Sequence, residues 1–218
     1  MRYLLGRGRI DLMKLLNLGC GADRPPYCLI GKVIVGVDKN IETPWINIDN
    51  HYATFAMDCP NRKQLELESN YINVDLKKGI PFDDNSIDGI LASHFLEHLD
   101  AQEALSLLKE CHRVLKSNGI IRVSIPDAVK FYYLIKNDCK DWGEPDTLEN
   151  FNPPKDFLEV ALLFSGHKQV LDIHILYCLF HAAKFSFAQE MPYKYTQLPP
   201  LADLDNRPIF SLFMEAKK

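Results

Sequence analysis

The chain of 218 residues lacks any close cysteine pair, although it has six cysteines: Cys20, Cys28, Cys59, Cys111, Cys139 and Cys178. With no CxxC-type spacing, they read as the reduced, mostly buried thiols of a cytosolic protein. It also lacks a long Lys/Arg run, and its formal net charge is -4. Broad electrostatic binding to nucleic acid is therefore disfavoured, and no DNA partner is expected. No uninterrupted apolar stretch approaches the ~18 residues of a membrane span. Even the apolar run from Val170 to Phe180 carries Asp172 and His174. Charges break the first nine residues too often for a secretory apolar core, so a cytoplasmic location is expected. Internal repeats, low-complexity tracts, a G-x-S-x-G elbow and a catalytic-cysteine pattern are all missing.

What is present is a core. Hydrophobic residues make up 47% of the chain, enough for one large domain. Met13–Leu18 reads as a buried strand stopped by Gly19-Cys20-Gly21. Further β-rich runs are Val33–Val37, Tyr71–Val74, Ile87–Ala92, Gly119–Ile125, Phe185–Ala188 and Phe210–Glu215. The clearest helix follows the fourth run. Ala104, Leu107, Leu108, Cys111, Val114 and Leu115 form its apolar stripe, Asp100 and Glu103 suit a capping box, and Asn118-Gly119 suits its end. A second helix is predicted over about 171–183, using Leu171, Ile175, Leu179 and Ala182. Strands alternating with helices predict an α/β, doubly wound, mainly parallel seven-stranded sheet, with ligands beyond the carboxyl ends of its strands. Residues 128–166 break this rhythm with aromatics, glycine and prolines, and read as a cap inserted into a single domain spanning 1–218.

Asn17-Leu18-Gly19-Cys20-Gly21 is the sharpest local signal. Glycines at a strand end let the backbone turn tightly and approach a ligand. A dinucleotide fingerprint needs a third glycine where Arg24 stands, which weakens a pyrophosphate-binding reading. Four more segments follow in order: Gly79-Ile80-Pro81-Phe82-Asp83-Asp84-Asn85-Ser86-Ile87-Asp88, Ser93-His94-Phe95-Leu96-Glu97-His98-Leu99, Glu110–Lys116 and Ile125-Pro126-Asp127. Together with Leu16–Gly21 they resemble the class I methyltransferases that use S-adenosylmethionine (SAM), especially the small type 11 group. The resemblance covers roughly residues 13–127 and extends more weakly through His167, Leu171-Asp172 and Phe185. It implies a Rossmann-like methyltransferase fold, SAM as cofactor, and an enzyme that transfers a methyl group to an oxygen or nitrogen acceptor. One departure is Leu115-Lys116-Ser117-Asn118-Gly119, where the family has Leu-Lys-Pro-Gly-Gly. Asn tolerates the left-handed conformation, so the turn should survive.

The resemblance assigns SAM to Asn17, Leu18, Gly19, Cys20 and Gly21, to an acid ending strand two, to Asp75 and Leu76 for the adenine, and to Ser93, His94, Phe95 and Glu97 past strand four. A carboxylate accepting two hydrogen bonds suits the ribose diol. Asp38 and Asp49 are the two candidates for it. Asp38 is preferred because the apolar run before it needs sheet partners. Thr43-Pro44 offers Asp49 a competing helical setting with Ile41, Trp45, Ile48, Tyr52 and Phe55 on one face. His98 and His94 are the candidate bases for the acceptor proton, against the plainer reading that they pack on SAM or orient a loop. His94, Glu97 and His98 lack the H-E-x-x-H order, and no further ligand stands at a convincing spacing, so no metal site is expected. Tyr132, Tyr133 and Trp142 suit an aromatic cap over the acceptor, which the resemblance points to as a small molecule or saccharide. A protein or RNA methyltransferase, or a non-catalytic SAM-fold protein, are the alternatives.

Overall fold

The computed structural model describes residues 13–18, 45–49, 71–130, 166–199, 201 and 211–218, with 45–49 and 71–73 described by their backbone. Seven strands form one sheet in these residues, in the order β3-β2-β1-β4-β5-β7-β6. They are β1 (Leu15–Leu18), β2 (Trp45–Asp49), β3 (Tyr71–Asn73), β4 (Ile87–Ser93), β5 (Leu115–Pro126), β6 (Phe187–Glu190) and β7 (Ser211–Lys217). Only β7 runs against the others, pairing antiparallel with both β5 and β6. The chain winds outward from β1 to β3, then returns to β4 beside β1. The switch point between β1 and β4 is therefore where a ligand has room at the strand ends.

Strand two differs from the preferred sequence reading. Trp45–Asp49 pairs with β1, in the register Leu15↔Trp45 to Leu18↔Ile48, and with β3 on its other side. The segment is a strand, not the helix that Thr43-Pro44 suggested. Its β-branched Ile46 and Ile48 suit a central position, and pairing on both edges outweighs a helical periodicity carried by a few residues. Val33–Val37 and Asp38 lie outside the described residues.

Two helices flank one sheet face: α1 (Ala101–Val114) and α2 (Ile173–Ala182). At α1 the capping box forms as expected: Glu103 N–H donates to Asp100 Oδ1 at 2.8 Å, and Asp100 N–H to Glu103 Oε2 at 3.0 Å. The helix ends at Val114, earlier than Asn118-Gly119, because β5 starts directly at Leu115. Asn118 nevertheless adopts the left-handed conformation at φ 67°. Asp172 caps α2, and the helix buries Leu176 and Phe180, while Ile175 is exposed. Of the predicted stripe, Leu171 is buried and Leu179 packs against the core, but the buried face of the helix itself is centred one residue later than Ile175 and Ala182, because a helix this apolar gives a weak periodic signal.

Alternate residues of the strands feed two cores. Leu16, Leu18, Ile90, Ala92, Ile121, Val123 and Ile125 pack with α1 and α2. On the opposite face Leu15, Leu91 and Ile120 pack with Leu201 and Leu198. The loop before β4 is pinned from α1. Arg113 donates to the carbonyls of Ile80 and Phe82 and to Asp84, while Glu110 accepts from Ile80 N–H. Asp88 accepts from Lys14 N–H and Lys116 Nζ, tying the starts of β4, β1 and β5 together. Ser86 Oγ also donates to Asp83 O at 2.7 Å, so the segment from Asp83 to Asp88 is fixed as the turn into β4.

Glu103 also joins separate elements. Its carboxylate meets Lys77 Nζ at 2.6 Å, past β3, and Lys168 Nζ at 3.0 Å, in the segment before α2. The Lys77 hydrogen bond first, then the Asp100 N–H and Lys168, hold its pKa down from 4.5 to about 2. A carboxylate depressed on folding adds stability above its unfolded pKa, and loses it as pH falls through the folded value. Melting temperatures of the native protein and Glu103→Gln should therefore differ above pH about 4.5 and converge toward pH 2. Added salt should shrink the difference, since the cluster faces solvent. A constant gap across that range would show that the carboxylate's charge contributes nothing.

Candidate active site

The carboxyl ends of β1, β3 and β4 bring the described candidates to one edge of the sheet. Asn17 and Leu18, both buried, close β1. Asp75 follows β3 and caps a single 3-10 turn, Leu76–Lys78. Its Oδ1 accepts from Lys77 N–H at 3.1 Å, and its Oδ2 lies 3.7 Å from Lys78 Nζ. Its side chain stays partly exposed, so it keeps acceptor capacity toward solvent. Leu76 is buried in the main core. Asp49 ends β2, opposite Asn73 of β3. Gly19, Cys20 and Gly21 lie outside the described residues, as do Tyr132, Tyr133 and Trp142 of the expected cap.

Beyond β4 the chain turns sharply. His94 takes φ 48°, a left-handed conformation uncommon outside glycine. Ser93 Oγ and Ser124 Oγ share a hydrogen bond at 2.9 Å, and His94 N–H donates to Ser124 O at 2.8 Å, so β5 holds the turn. The His94 ring is driven inward, where Nε2 shares a 2.8 Å hydrogen bond with Ser211 Oγ of β7. Phe95 is half-buried against the core. Leu96–His98 then form one 3-10 turn, so His94 and His98 do not share a helical face.

Glu97 is the least expected member of this edge. It is 1% exposed, and neither carboxylate oxygen accepts a hydrogen bond from a described residue. His94 Nδ1 stands 3.3 Å from its Oε1 without hydrogen-bond geometry, and His167 Nε2 stands 4.0 Å away. Burial raises its pKa, but His94, with a smaller contribution from His98, outweighs burial and holds it below the usual carboxylate value. The His98 ring meets the His167 ring edge-on at 4.8 Å, and His98 Nδ1–H donates to Gly166 O at 3.4 Å. His167 is fixed here by its neighbours. Lys168 N–H and Gln169 N–H both donate to Glu97 O, and Gln169 Nε2 donates to Leu96 O. A carboxylate ringed by three imidazoles thus stands at the ligand edge of β4. Sequence reasoning held two of those imidazoles and left His167 as a weak C-terminal echo. Its 69-residue separation from His98 carries no local spacing signal.

Residues 16–123, from β1 to β5, match the type 11 family described as a methyltransferase domain. The chain belongs to the class I SAM-dependent methyltransferases. Its cofactor is SAM, and its activity is methyl transfer to an acceptor. The fold is shared with a SAM-dependent methyltransferase from Archaeoglobus fulgidus, at 18% identity and a TM-score of 0.55, covering 95% of this chain and 87% of that one. It is shared too with a possible histamine N-methyltransferase from Thermotoga maritima, at 17% identity and a TM-score of 0.53, covering 94% and 82%. PigF with SAH aligns at 15% identity and a TM-score of 0.56, covering 94% of this chain and 50% of that one. No curated protein matches in sequence. Among the described residues, no helix of this methyltransferase is long and apolar enough to cross a membrane.

Proposed function

We propose that this methyltransferase acts on an oxygen or nitrogen of a small molecule or saccharide, and that the whole chain is one domain whose residues 128–166 cover the acceptor. The observation that carries the reading is the imidazole–carboxylate group at the β4 edge, next to the switch point. Methyl transfer from a sulfonium needs in-line alignment and exclusion of water. A hydroxyl or protonated amine must also lose a proton, and a half-buried imidazole is suited to take it. His98 is that group, because it is partly exposed on the ligand side. His94, locked to Ser211, acts as a positioning residue for Glu97. A net charge of -4 favours a small acceptor over RNA.

When bound, SAM supplies the methyl group. Asn17 to Gly21 would hold its amino-acid tail, with Ser93, His94, Phe95 and Glu97 bracing that side. Asp75 would accept from the adenine amino group, and Leu76 would support the ring from the core. The strand-end carboxylate for the ribose is Asp49, since Trp45–Asp49 fills the strand-two place. Asp49→Ala should then weaken SAM binding by about 2–3 kcal/mol, the scale of lost charge-assisted hydrogen bonds, with Asp38→Ala nearly silent. Calorimetry giving the reverse ranking would return the ribose to Asp38. Incubating the enzyme with SAM and panels of hydroxylated and aminated small molecules, peptides and RNA, with SAH formation as readout, tests the acceptor. Turnover confined to peptide or RNA would overturn the small-molecule reading.

A further inference from the structure

We propose that Glu97, His98 and His167 form a divalent-metal site at the carboxyl edge of β4, suited to a first-row ion of the zinc class with a coordination position left open. Each residue offers one ligand atom, and these atoms lie within 4.8 Å of one another. The first support is Glu97 itself. A buried carboxylate whose two oxygens accept no hydrogen bond of good geometry from a described residue, and which meets the His94 ring at 3.3 Å, is costly unless a cation adds to that contact. The second is convergence. His98 comes from the turn after β4 and His167 from the segment before α2, and that segment is clamped onto Glu97 by two backbone hydrogen bonds. The third is the tautomer. With Nδ1–H directed at Gly166 O, His98 presents Nε2 as a lone pair. Metal-bound histidines are usually oriented in this way, through a backbone carbonyl on the second nitrogen.

Two imidazoles and one carboxylate make a donor set known for zinc with an open fourth position. Bonds of about 2.0–2.1 Å place tetrahedral donors ~3.3 Å apart, so loading draws the widest pair together by about 1–1.5 Å. The ring of His98, half-exposed, has room to make that rotation. His94 stays outside the ligand set and orients Glu97 from behind. The placement beside the acceptor rests on the proposed function above. With an ion bound, His98 would be its ligand and not the proton acceptor; the ion would then supply that function by lowering the pKa of an acceptor oxygen.

The test uses the full chain after chelation and exchange into metal-free buffer. It is titrated with Zn²⁺ and with Co²⁺, followed by native mass spectrometry, Co²⁺ visible absorption and melting temperature. One ion per chain is expected, with a rise in melting temperature. Binding should weaken by at least about tenfold in both His167→Ala and Glu97→Gln, since loss of mere outer-shell partners already costs that much. His167→Ala alters a loop side chain, so it keeps the test valid should Glu97→Gln fail to fold. No stoichiometric binding would overturn the site. Unchanged affinity in His167→Ala would also overturn it, by placing the ion elsewhere. A metal-free enzyme with full turnover on its acceptor would remove the catalytic role while leaving methyl transfer standing. Loss of transfer with intact metal binding would strike the proposed function alone.

Discussion

His98→Ala is expected to lower turnover by about 10²–10⁴-fold while leaving SAM affinity nearly unchanged. The cofactor is to be held mainly from the ends of β1, β2 and β3, whereas His98 lies outside the residues assigned to SAM, with a 3.4 Å bond to Gly166 O and an edge contact with the His167 ring to lose inside the fold. His94→Ala makes the contrast. That ring is buried and bonded to Ser211 Oγ, and it is the main group holding Glu97 ionised. Its loss should cost about 1–3 kcal/mol of stability by stranding Ser211 and Glu97, with activity falling alongside the folded fraction. Chemical denaturation separates the two variants, and single-turnover rates at saturating SAM measure the chemistry. Equal loss of SAM binding in both would make these histidines parts of the cofactor site. Full turnover in His98→Ala would leave transfer to alignment alone.

The difference between these histidines was not legible in the sequence. Four residues apart, they suggested one helical face, but the left-handed His94 and a single 3-10 turn send them different ways. A sharp turn of this kind is set by β5 and β7, through Ser124 and Ser211, and such long-range partners leave no local pattern. The parts that were legible depend on local physics. The capping box, the α1 stripe and the Asn118 turn each follow from residues within one or two turns of each other. The place of Trp45–Asp49 in strand two was missed for the opposite reason. Val33–Val37 has strand propensity as well, and only the pairing of Trp45–Asp49 with β1 and β3 reveals its position. His167 became visible as a site residue only when Glu97 O was seen to hold the backbone beside it.

A second large effect is expected far from the chemistry. Arg122 of β5 is fully buried and faces Glu215 of β7, which is 1% exposed, at 3.0 Å. Residues 192–199 fold over that face. Arg122 donates to Tyr195 O at 2.9 Å and Pro192 O at 3.2 Å, and its guanidinium lies 5.3 Å from the centre of the Phe213 ring. Glu215 accepts from Gln197 N–H with its second oxygen. The pair therefore staples the segment between β6 and β7 onto the sheet next to the smaller core of Leu15, Leu91, Ile120 and Leu201. Arg122→Ala leaves Glu215 uncompensated and removes the guanidinium donor from Tyr195 O, while Pro192 O keeps Tyr195 N–H, so a loss of about 3–5 kcal/mol is expected in urea denaturation. Replacing both partners, as Arg122→Met with Glu215→Leu, should recover most of that loss, because an apolar pair avoids the desolvation cost. Recovery in stability with continued proteolytic cutting near Tyr195 would show that the charges specify where the segment docks. A loss under about 1 kcal/mol for Arg122→Ala, the range of exposed ion pairs, would mean that water reaches Glu215 and that the staple is not closed in solution.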